Sequence, residues 1–384
     1  MKIKEYILPL RKVRLPRLLE VTKYFEKIDE NLIYSNNGPL VRQLREALAQ
    51  KYNLDTGLIT ITSSGTKSLQ TILQRIVNHQ RRGKTFKGTH SEELYCILPS
   101  YTFVASAMAI IGAGLRPIFV DIEEKTGQLS TLSVERFLND ERVERSKIIA
   151  VMPVSPFGAK INKEIWAKFT TKYELELVYD EAWCFDSFVP DKKGASALSL
   201  HATKSFGCGE GGVIFSKNYE DAVQYQRIIN FGLDDKRESQ CIGTNGKMSE
   251  YHAAVALASL DRWSGKRNIC LGLQGYYLEK LRSFSSISPL DGFDDSWSWG
   301  SLPIIFKKEH NLKHVIEAAK SEKIEMRSWW NGGIHRFPSM KEYPRDNLEN
   351  TRVLSNKLIN IPFFPEMQEQ DIDIVCKFLE KFDS

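Results

Sequence analysis

The sequence predicts an α/β fold: a large domain with a mostly parallel central sheet flanked by helices, then a smaller α+β domain at the C-terminal end. Three observations predict it. Between about residues 58 and 217, short β-rich runs alternate with helical patterns, as they do when crossover helices join parallel strands. Several of those runs are continuously apolar, the mark of strands buried on both faces. After Ser249 the alternation gives way to a mixed region of helices and short strands.

Taken in order, the first strand is LITIT at 58–62. It leads through TSSGTK into a helix carrying Leu69, Ile72, Leu73, Ile76 and Val77 on one face, the spacing of an amphipathic helix. LYCIL (94–98) is the second strand. The apolar stretch 107–115 contains two glycines and reads as a buried helix. RPIFVDI (116–122), KIIAVMPV (147–154), LELVYD (175–180) and GVIFS (212–216) supply further strands. EYHAAVALASLDRW is an alanine-rich helix. Beyond it lie the helical HNLKHVIEAAKSEK and DIDIVCKFLEKF and the strands SLPIIF and NIPFF. A boundary near 262–270 divides the chain into an N-terminal segment, 1–38, packing near the small domain, a large domain, 39–265, and a small domain, 266–384.

Charge and cysteine usage exclude several classes. The net charge of +5 is spread along the chain, and short basic pieces such as QRRGK at 80–84 build no stripe with interleaved aromatics; a nucleic-acid groove is not expected. Six cysteines lie far apart without a CxxC pair, which argues against a zinc ribbon or a disulfide framework and predicts no metal site. The first twenty residues mix Lys, Arg and Glu into their apolar stretch, unlike a signal peptide. No apolar run approaches the roughly 18 residues of a membrane span. A cytoplasmic protein is expected.

Three features bear on chemistry. In TSSGTKSL (62–69) a buried strand runs through Ser63, Ser64, Gly65 and Thr66 into a helix. Such a start offers free amides and positive dipole character to an anion, although the same residues serve as ordinary helix caps. A P-loop is not indicated, since GxxxxGK[ST] is absent. In ELELVYDEAWCF a buried strand ends at Asp180, at the carboxyl edge of the sheet where ligands of open α/β sheets collect. In SLHATKSFGCGEGG, Lys204 stands among small residues five positions after Ser199. Lost hydration would lower its pKa and free the amine as a nucleophile. Gly207, Gly209 and Gly212 match GxGxxG but run into a strand, which rules out a dinucleotide fingerprint. Each feature alone has a bland reading. Together, with the aromatic-bearing loop PSYTFVAS (99–106) between them, they are the parts pyridoxal phosphate needs: a phosphate cradle, a flat group on the ring, a carboxylate for the pyridine nitrogen and an amine for the aldehyde.

On SNNGPLVRQLREALAQKY, TSSGTKSL, PSYTFVASAMAIIGAGLRPIFVDI, PVSPFGA, VYDEA, SLHATKSFGCGEGG and GTNGKMSEYHAAVALASL, in that order, the chain resembles the DegT/StrS sugar aminotransferases over nearly its whole length. These are fold type I pyridoxal phosphate enzymes of the aspartate aminotransferase superfamily. The resemblance implies that Lys204 holds the cofactor's aldehyde, that Asp180 pairs with the pyridinium nitrogen and that Phe103 stacks on the ring. It implies that Gly65, Thr66 and Ser199 hold the phosphate. Asn245 would reach the phosphate of a neighbouring subunit, so a homodimer with shared active sites is implied. Lys247 stands where many relatives carry arginine.

The relatives include dehydratases in which histidine replaces the lysine; Lys204 favours amine exchange. Trp183 replaces a usual histidine or glutamine, and Glu181 a usual small residue, which bears on substrate identity. In MRSWWNGGIHRFP (326–338), Arg327 is expected to contact a phosphate and Trp329 or Trp330 to stack on a ring, with His335 also on the substrate side; closing the core of the small domain is the alternative role for the tryptophans. The function implied is transfer of an amino group from L-glutamate to a keto-deoxysugar nucleotide for a surface polysaccharide or natural product. A small phosphorylated ketone such as dihydroxyacetone phosphate as acceptor, or sugar dehydration, stays open. A cofactor-binding regulator would need a DNA-binding domain that the sequence does not display.

Overall fold

A computed structural model describes residues 7–80, 93–308 and 310–383. Most of the basic piece at 80–84 and the first six residues lie outside them.

The large sheet consists of β1 (Ile59–Thr62), β2 (Tyr95–Pro99), β3 (Arg116–Val120), β4 (Ile148–Val151), β5 (Glu176–Asp180), β6 (Ala195–Ser199) and β7 (Gly212–Phe215), in the order β1-β7-β6-β5-β4-β2-β3. Neighbours from β6 to β3 pair in parallel, and β7 runs antiparallel to both β1 and β6. The expected runs at 58–62, 94–98, 116–122, 147–154, 175–180 and 212–216 all supply strands. β6 is the addition. Its sequence, ASALS, is too small and too polar to read as an apolar run, yet every residue is buried. Small side chains there let the first turn of a helix come close: a Cβ on Gly65 would lie 2.7 Å from Ser199 Cβ.

Helices cover the sheet. They are α1 (Leu18–Asn31), α2 (Pro39–Tyr52), α3 (Gly65–Gln80), α4 (Val104–Gly112), α5 (Thr131–Leu138), α6 (Lys163–Tyr173), α7 (Tyr219–Ile228) and α8 (Glu250–Asp261), and the next helix, α9 (Trp263–Leu281), packs instead into the core of the second sheet. α3 buries Leu69, Ile72, Leu73, Ile76 and Val77 as its spacing predicts. α4 is the expected buried helix, shifted a few residues toward the N-terminus. α9 is a further addition: Gly265, Gly272 and Gly275 and scattered charges blur its apolar face. The N-terminus of α2 is closed by a distant residue, buried Glu250, which accepts from the Leu40 and Val41 amides at 2.7 and 3.0 Å.

A second sheet, β8 (Ile287–Pro289), β9 (Leu302–Phe306) and β10 (Leu358–Ile361), is antiparallel with β9 in the centre. It carries α10 (Leu312–Ser321), α11 (Glu349–Ser355) and α12 (Glu369–Leu379). The N-terminal chain joins this layer: Leu8 bridges Ile324, and the Phe363 amide donates to the Leu10 carbonyl. No helix among the described residues is long and apolar enough to cross a membrane.

The two layers are stapled through Asp121, at the end of β3. Its buried carboxylate accepts from the amides of Ile122, Asn350 and Thr351 and from the Thr351 hydroxyl, all at 2.8–3.0 Å. Removing the acceptor strands donors at the start of α11. Asp121→Ala is expected to lower stability by about 2–4 kcal/mol, read as a lower urea midpoint with an unchanged slope.

Candidate active site

The parallel strands end on one edge, and the sequence-expected residues gather there. Thr62, Gly212 and Ser199 are level across β1, β7 and β6. The chain passes from Thr62 into α3, and a Cβ on Gly212 would lie 2.4 Å from the Ser64 carbonyl oxygen; only glycine lets the strand start beneath that turn. Ser64 Oγ accepts from the Lys67 amide at 3.1 Å, and the Ser64 carbonyl accepts from the Ser68 amide. The Gly65 and Thr66 amides find no acceptor among the described residues. Two open amides at a helix start, beside the buried Ser199 hydroxyl, form a cradle for a phosphate-sized anion.

Asp180 ends β5 and is buried. Burial pushes its pKa up, and three influences oppose the rise: a hydrogen bond from Ser106, the positive charge of Lys204 and the Ala182 amide. Ser106 Oγ donates to Asp180 Oδ2 at 2.6 Å, and Ala182 N–H to Oδ1 at 3.2 Å. Ser106 has one hydroxyl proton, so the 2.9 Å contact with Thr102 Oγ1 is donated by Thr102. On balance burial leaves the pKa raised, and a short relay running Thr102 to Ser106 to Asp180 favours the charged form against it.

Lys204 sits in a tight loop between β6 and β7. Backbone bonds between Leu200 and Gly211, Ala202 and Gly209, and Cys208 and Leu200 close it, and Gly209 turns it with φ +98°. The ammonium lies 4.1 Å from the centroid of the Trp183 ring. Burial is the chief reason its pKa falls to about 7; the Asp180 charge offsets part of the fall, and the Arg11 charge adds to it. A substantial share of the amine is therefore unprotonated at neutral pH.

Beyond Lys204 the mouth is aromatic and cationic. Arg327 pairs with Glu325 at 2.7 Å and lies 5.2 Å from the Trp329 centroid. Trp329 donates to Asn360 Oδ1 at 2.8 Å, which fixes its ring at the end of β10. Trp330 turns inward, stacked on Phe157 and edge-on to Tyr101, so it closes a core. His335 is bound to Ser100, just past the end of β2, with Nδ1 and Oγ 2.7 Å apart. Its pKa is lowered by burial and by Arg345 and Arg336. Phe103, the residue that precedes α4, is 61% exposed.

Three residues fall outside this cluster. Glu181 follows Asp180 in sequence, so its side chain turns to the opposite face of the chain. There it forms a buried ion pair with Lys163 at 2.8 Å. Asn245 is exposed on a loop whose Gly246 carbonyl accepts from the Ser63 amide. Lys247 is occupied with Asn230 Oδ1 at 2.9 Å and lies 4.9 Å from the Phe231 ring centroid.

A model of the DegT/DnrJ/EryC1/StrS aminotransferase family matches residues 19–380. The chain belongs to that family. This aminotransferase is 28% identical over 378 residues to a dTDP-4-amino-4,6-dideoxy-D-glucose transaminase of Shigella dysenteriae, with 96% of each chain covered. It is 24% identical over 303 residues to a dTDP-3-amino-3,4,6-trideoxy-alpha-D-glucose transaminase of Streptomyces venezuelae, covering 75% of this chain and 77% of that one. The crystal structure of a Bacillus cereus protein assigned as a PLP-dependent aminotransferase superposes with a TM-score of 0.86 at 25% identity, covering 98% of this chain and all of that one.

The enzyme depends on pyridoxal phosphate, and its residues fit that group. The open Gly65 and Thr66 amides match the phosphate, Asp180 matches a protonated ring nitrogen, and Lys204 matches the aldehyde. Arg11, Thr102 and Ser106 escape sequence reasoning. Ser106 has a legible signal, since it lies in PSYTFVAS where a hydroxyl at the first turn of a helix can face the sheet edge. Arg11 has none, because it arrives from a separate segment. Competitive labelling of lysines with acetic anhydride, read by peptide mass spectrometry, should place the Lys204 midpoint near 7 in the cofactor-free protein, with labelling rising as pH increases. A midpoint near the ordinary 10.5 would show a solvated lysine.

Proposed function

We propose that this aminotransferase moves an amino group from L-glutamate to a keto group on a dTDP-linked deoxysugar, in the cytoplasm, as a homodimer. The observation that carries the reading is the pairing of a lysine depressed to about 7 with a buried carboxylate that accepts from Ser106 at 2.6 Å. That pair is what amine exchange needs at neutral pH. The relatives' names supply the acceptor class, and they place the amino group at the 4 position in one case and the 3 position in the other.

When bound, pyridoxal phosphate supplies an electron sink that makes the donor's Cα–H acidic. The chain's residues do the rest. Lys204 Nζ takes the proton from the donor Cα and returns it on the other side of the exchange, a role suited to an amine that titrates near the working pH. Asp180 would hold the ring nitrogen's proton, with the Thr102–Ser106 relay favouring the charged form of that carboxylate. Gly65, Thr66 and Ser199 anchor the phosphate, and Phe103 covers one ring face. Trp183 excludes water from the amine without offering it an acceptor. The Lys204 position is the reason to favour exchange over dehydration.

The homodimer draws support from the loop that carries Asn245. Phe231 and Ile242 on that loop are large apolar residues exposed to solvent, a surface a second copy would cover. The buried thiols of Cys96, Cys184, Cys208, Cys270 and Cys376 form no disulfide, in keeping with a reducing compartment.

Protein loaded with pyridoxal phosphate should be yellow and lose that band on adding L-glutamate, with growth of the pyridoxamine phosphate band. Adding dTDP-4-keto-6-deoxyglucose should restore it and yield an aminosugar nucleotide by mass spectrometry. A yellow enzyme that glutamate leaves unchanged would reject glutamate as donor. Mixing refolded Lys204→Ala and Asn245→Ala subunits should recover up to about a quarter of wild-type activity, because a hybrid dimer holds one intact site. No recovery in a proven hybrid would place Asn245 in its own subunit's site.

A further inference from the structure

Arg11 is a half-buried guanidinium with no ion pair among the described residues. Its Cζ lies 5.8 Å from the ring centroids of both Trp183 and Trp329, close enough for cation–π attraction. Its one protein hydrogen bond among the described residues is a long one, 3.5 Å from Nη1 to the Thr203 carbonyl. Glu325, whose charge favours the cation, is also engaged elsewhere: Oε1 accepts from Arg327 at 2.7 Å and Oε2 from the Leu10 amide at 3.0 Å. Burial and the neighbouring Arg327 charge lower the Arg11 pKa, and the Glu325 charge offsets part of the fall.

The surroundings share that imbalance. A cleft between residues 11–16 and the Lys204 loop is walled by Arg11, Lys12, Arg14, Lys204, Arg262 and Lys266, with no Asp or Glu among its lining residues. Arg14 and Arg262 have partners outside it, in Glu366 and Glu20. Arg11, Lys12 and Lys204 have no ion pair among the described residues. Trp183 ties this cluster to the chemistry, because Lys204 Nζ and Arg11 Cζ both lie within 6 Å of its one indole ring.

We propose that Arg11 is a substrate-binding residue, holding a carboxylate or phosphate oxygen of a substrate whose reacting carbon sits at Lys204. The proposal rests on the aminotransferase reading of Lys204. The guanidinium lies near two indoles with one long hydrogen bond of its own, and the planar fork of arginine fits two oxygens of a carboxylate or phosphate at once. Both substrate classes carry such oxygens: the donor amino acid on its carboxylates, the acceptor on its diphosphate. An anion bound there also cancels a charge that depresses Lys204, so the amine would gain proton affinity as substrate arrives.

The test uses pyridoxal-phosphate-loaded protein and two unreactive probes, glutarate and dTDP, with binding measured by calorimetry. Arg11→Gln is expected to weaken one probe by at least about tenfold, and Arg11→Lys, which keeps the charge but not the fork, by less. Loss of glutarate binding assigns Arg11 to the donor carboxylate, and loss of dTDP binding assigns it to the acceptor diphosphate. In the cofactor-free protein the Lys204 labelling midpoint should move upward in Arg11→Gln and less in Arg11→Lys, a difference that a packing role for the side chain does not require. Both probes binding Arg11→Gln within twofold of wild type overturns the proposal, as does wild-type protein that binds neither. Arg11→Lys serves if Arg11→Gln fails to fold by circular dichroism. Amine exchange with L-glutamate is measured separately, so a protein that loses a probe yet never exchanges keeps the anion site and loses the glutamate reading.

Discussion

Taking an ammonium and a carboxylate out of water together is the constraint on which this structure turns. Each charge alone would be costly to bury. Lys204 responds by losing proton affinity and Asp180 by gaining it, a rise that Ser106, the Ala182 amide and Lys204 itself oppose. Neither partner fully neutralises the other, which leaves an amine able to react and a carboxylate able to receive a cation. The closed loop around Lys204, the Thr102–Ser106 relay and the Trp183 ring all serve that balance.

The parallel sheet makes the balance geometrically possible. β1, β2, β5 and β6 run in one direction, so residues from distant stretches of chain emerge on one edge: the cradle after β1, the relay after β2, Asp180 at the end of β5 and Ser199 at the end of β6. Antiparallel β7 between β1 and β6 brings the chain back beneath the cradle, where Gly212 admits the Ser64 turn. The smaller sheet then closes the mouth. Asn360 on β10 fixes Trp329, and Ser100 after β2 holds His335 from the same segment.

Much of this was legible in the linear chain, for local reasons. Continuous apolar runs marked six strands of the large sheet, and a regular apolar face marked α3. Strand β6 was not legible because its small residues, ASALS, are chosen by the close approach of α3 and not by hydrophobicity. Helix α9 was obscured by three glycines on a weakly amphipathic segment. Glu181 invited a functional reading as an unusual neighbour of Asp180, yet strand alternation sends it to Lys163 on the other face.

By itself the sequence determined the alternation of strands and helices, the ordered series of cradle, aromatic loop, carboxylate and lysine, and the resemblance those motifs carry, because each is written in contiguous residues with short-range rules. Only the tertiary structure decided the electrical state of Lys204, the relay behind Asp180, the inward turn of Trp330 and the arrival of Arg11 at the mouth. Those depend on burial and on contacts between segments nearly 200 residues apart, such as Arg11 with Thr203. Distance along the chain carries no information about either; the packed sheet edge supplies both.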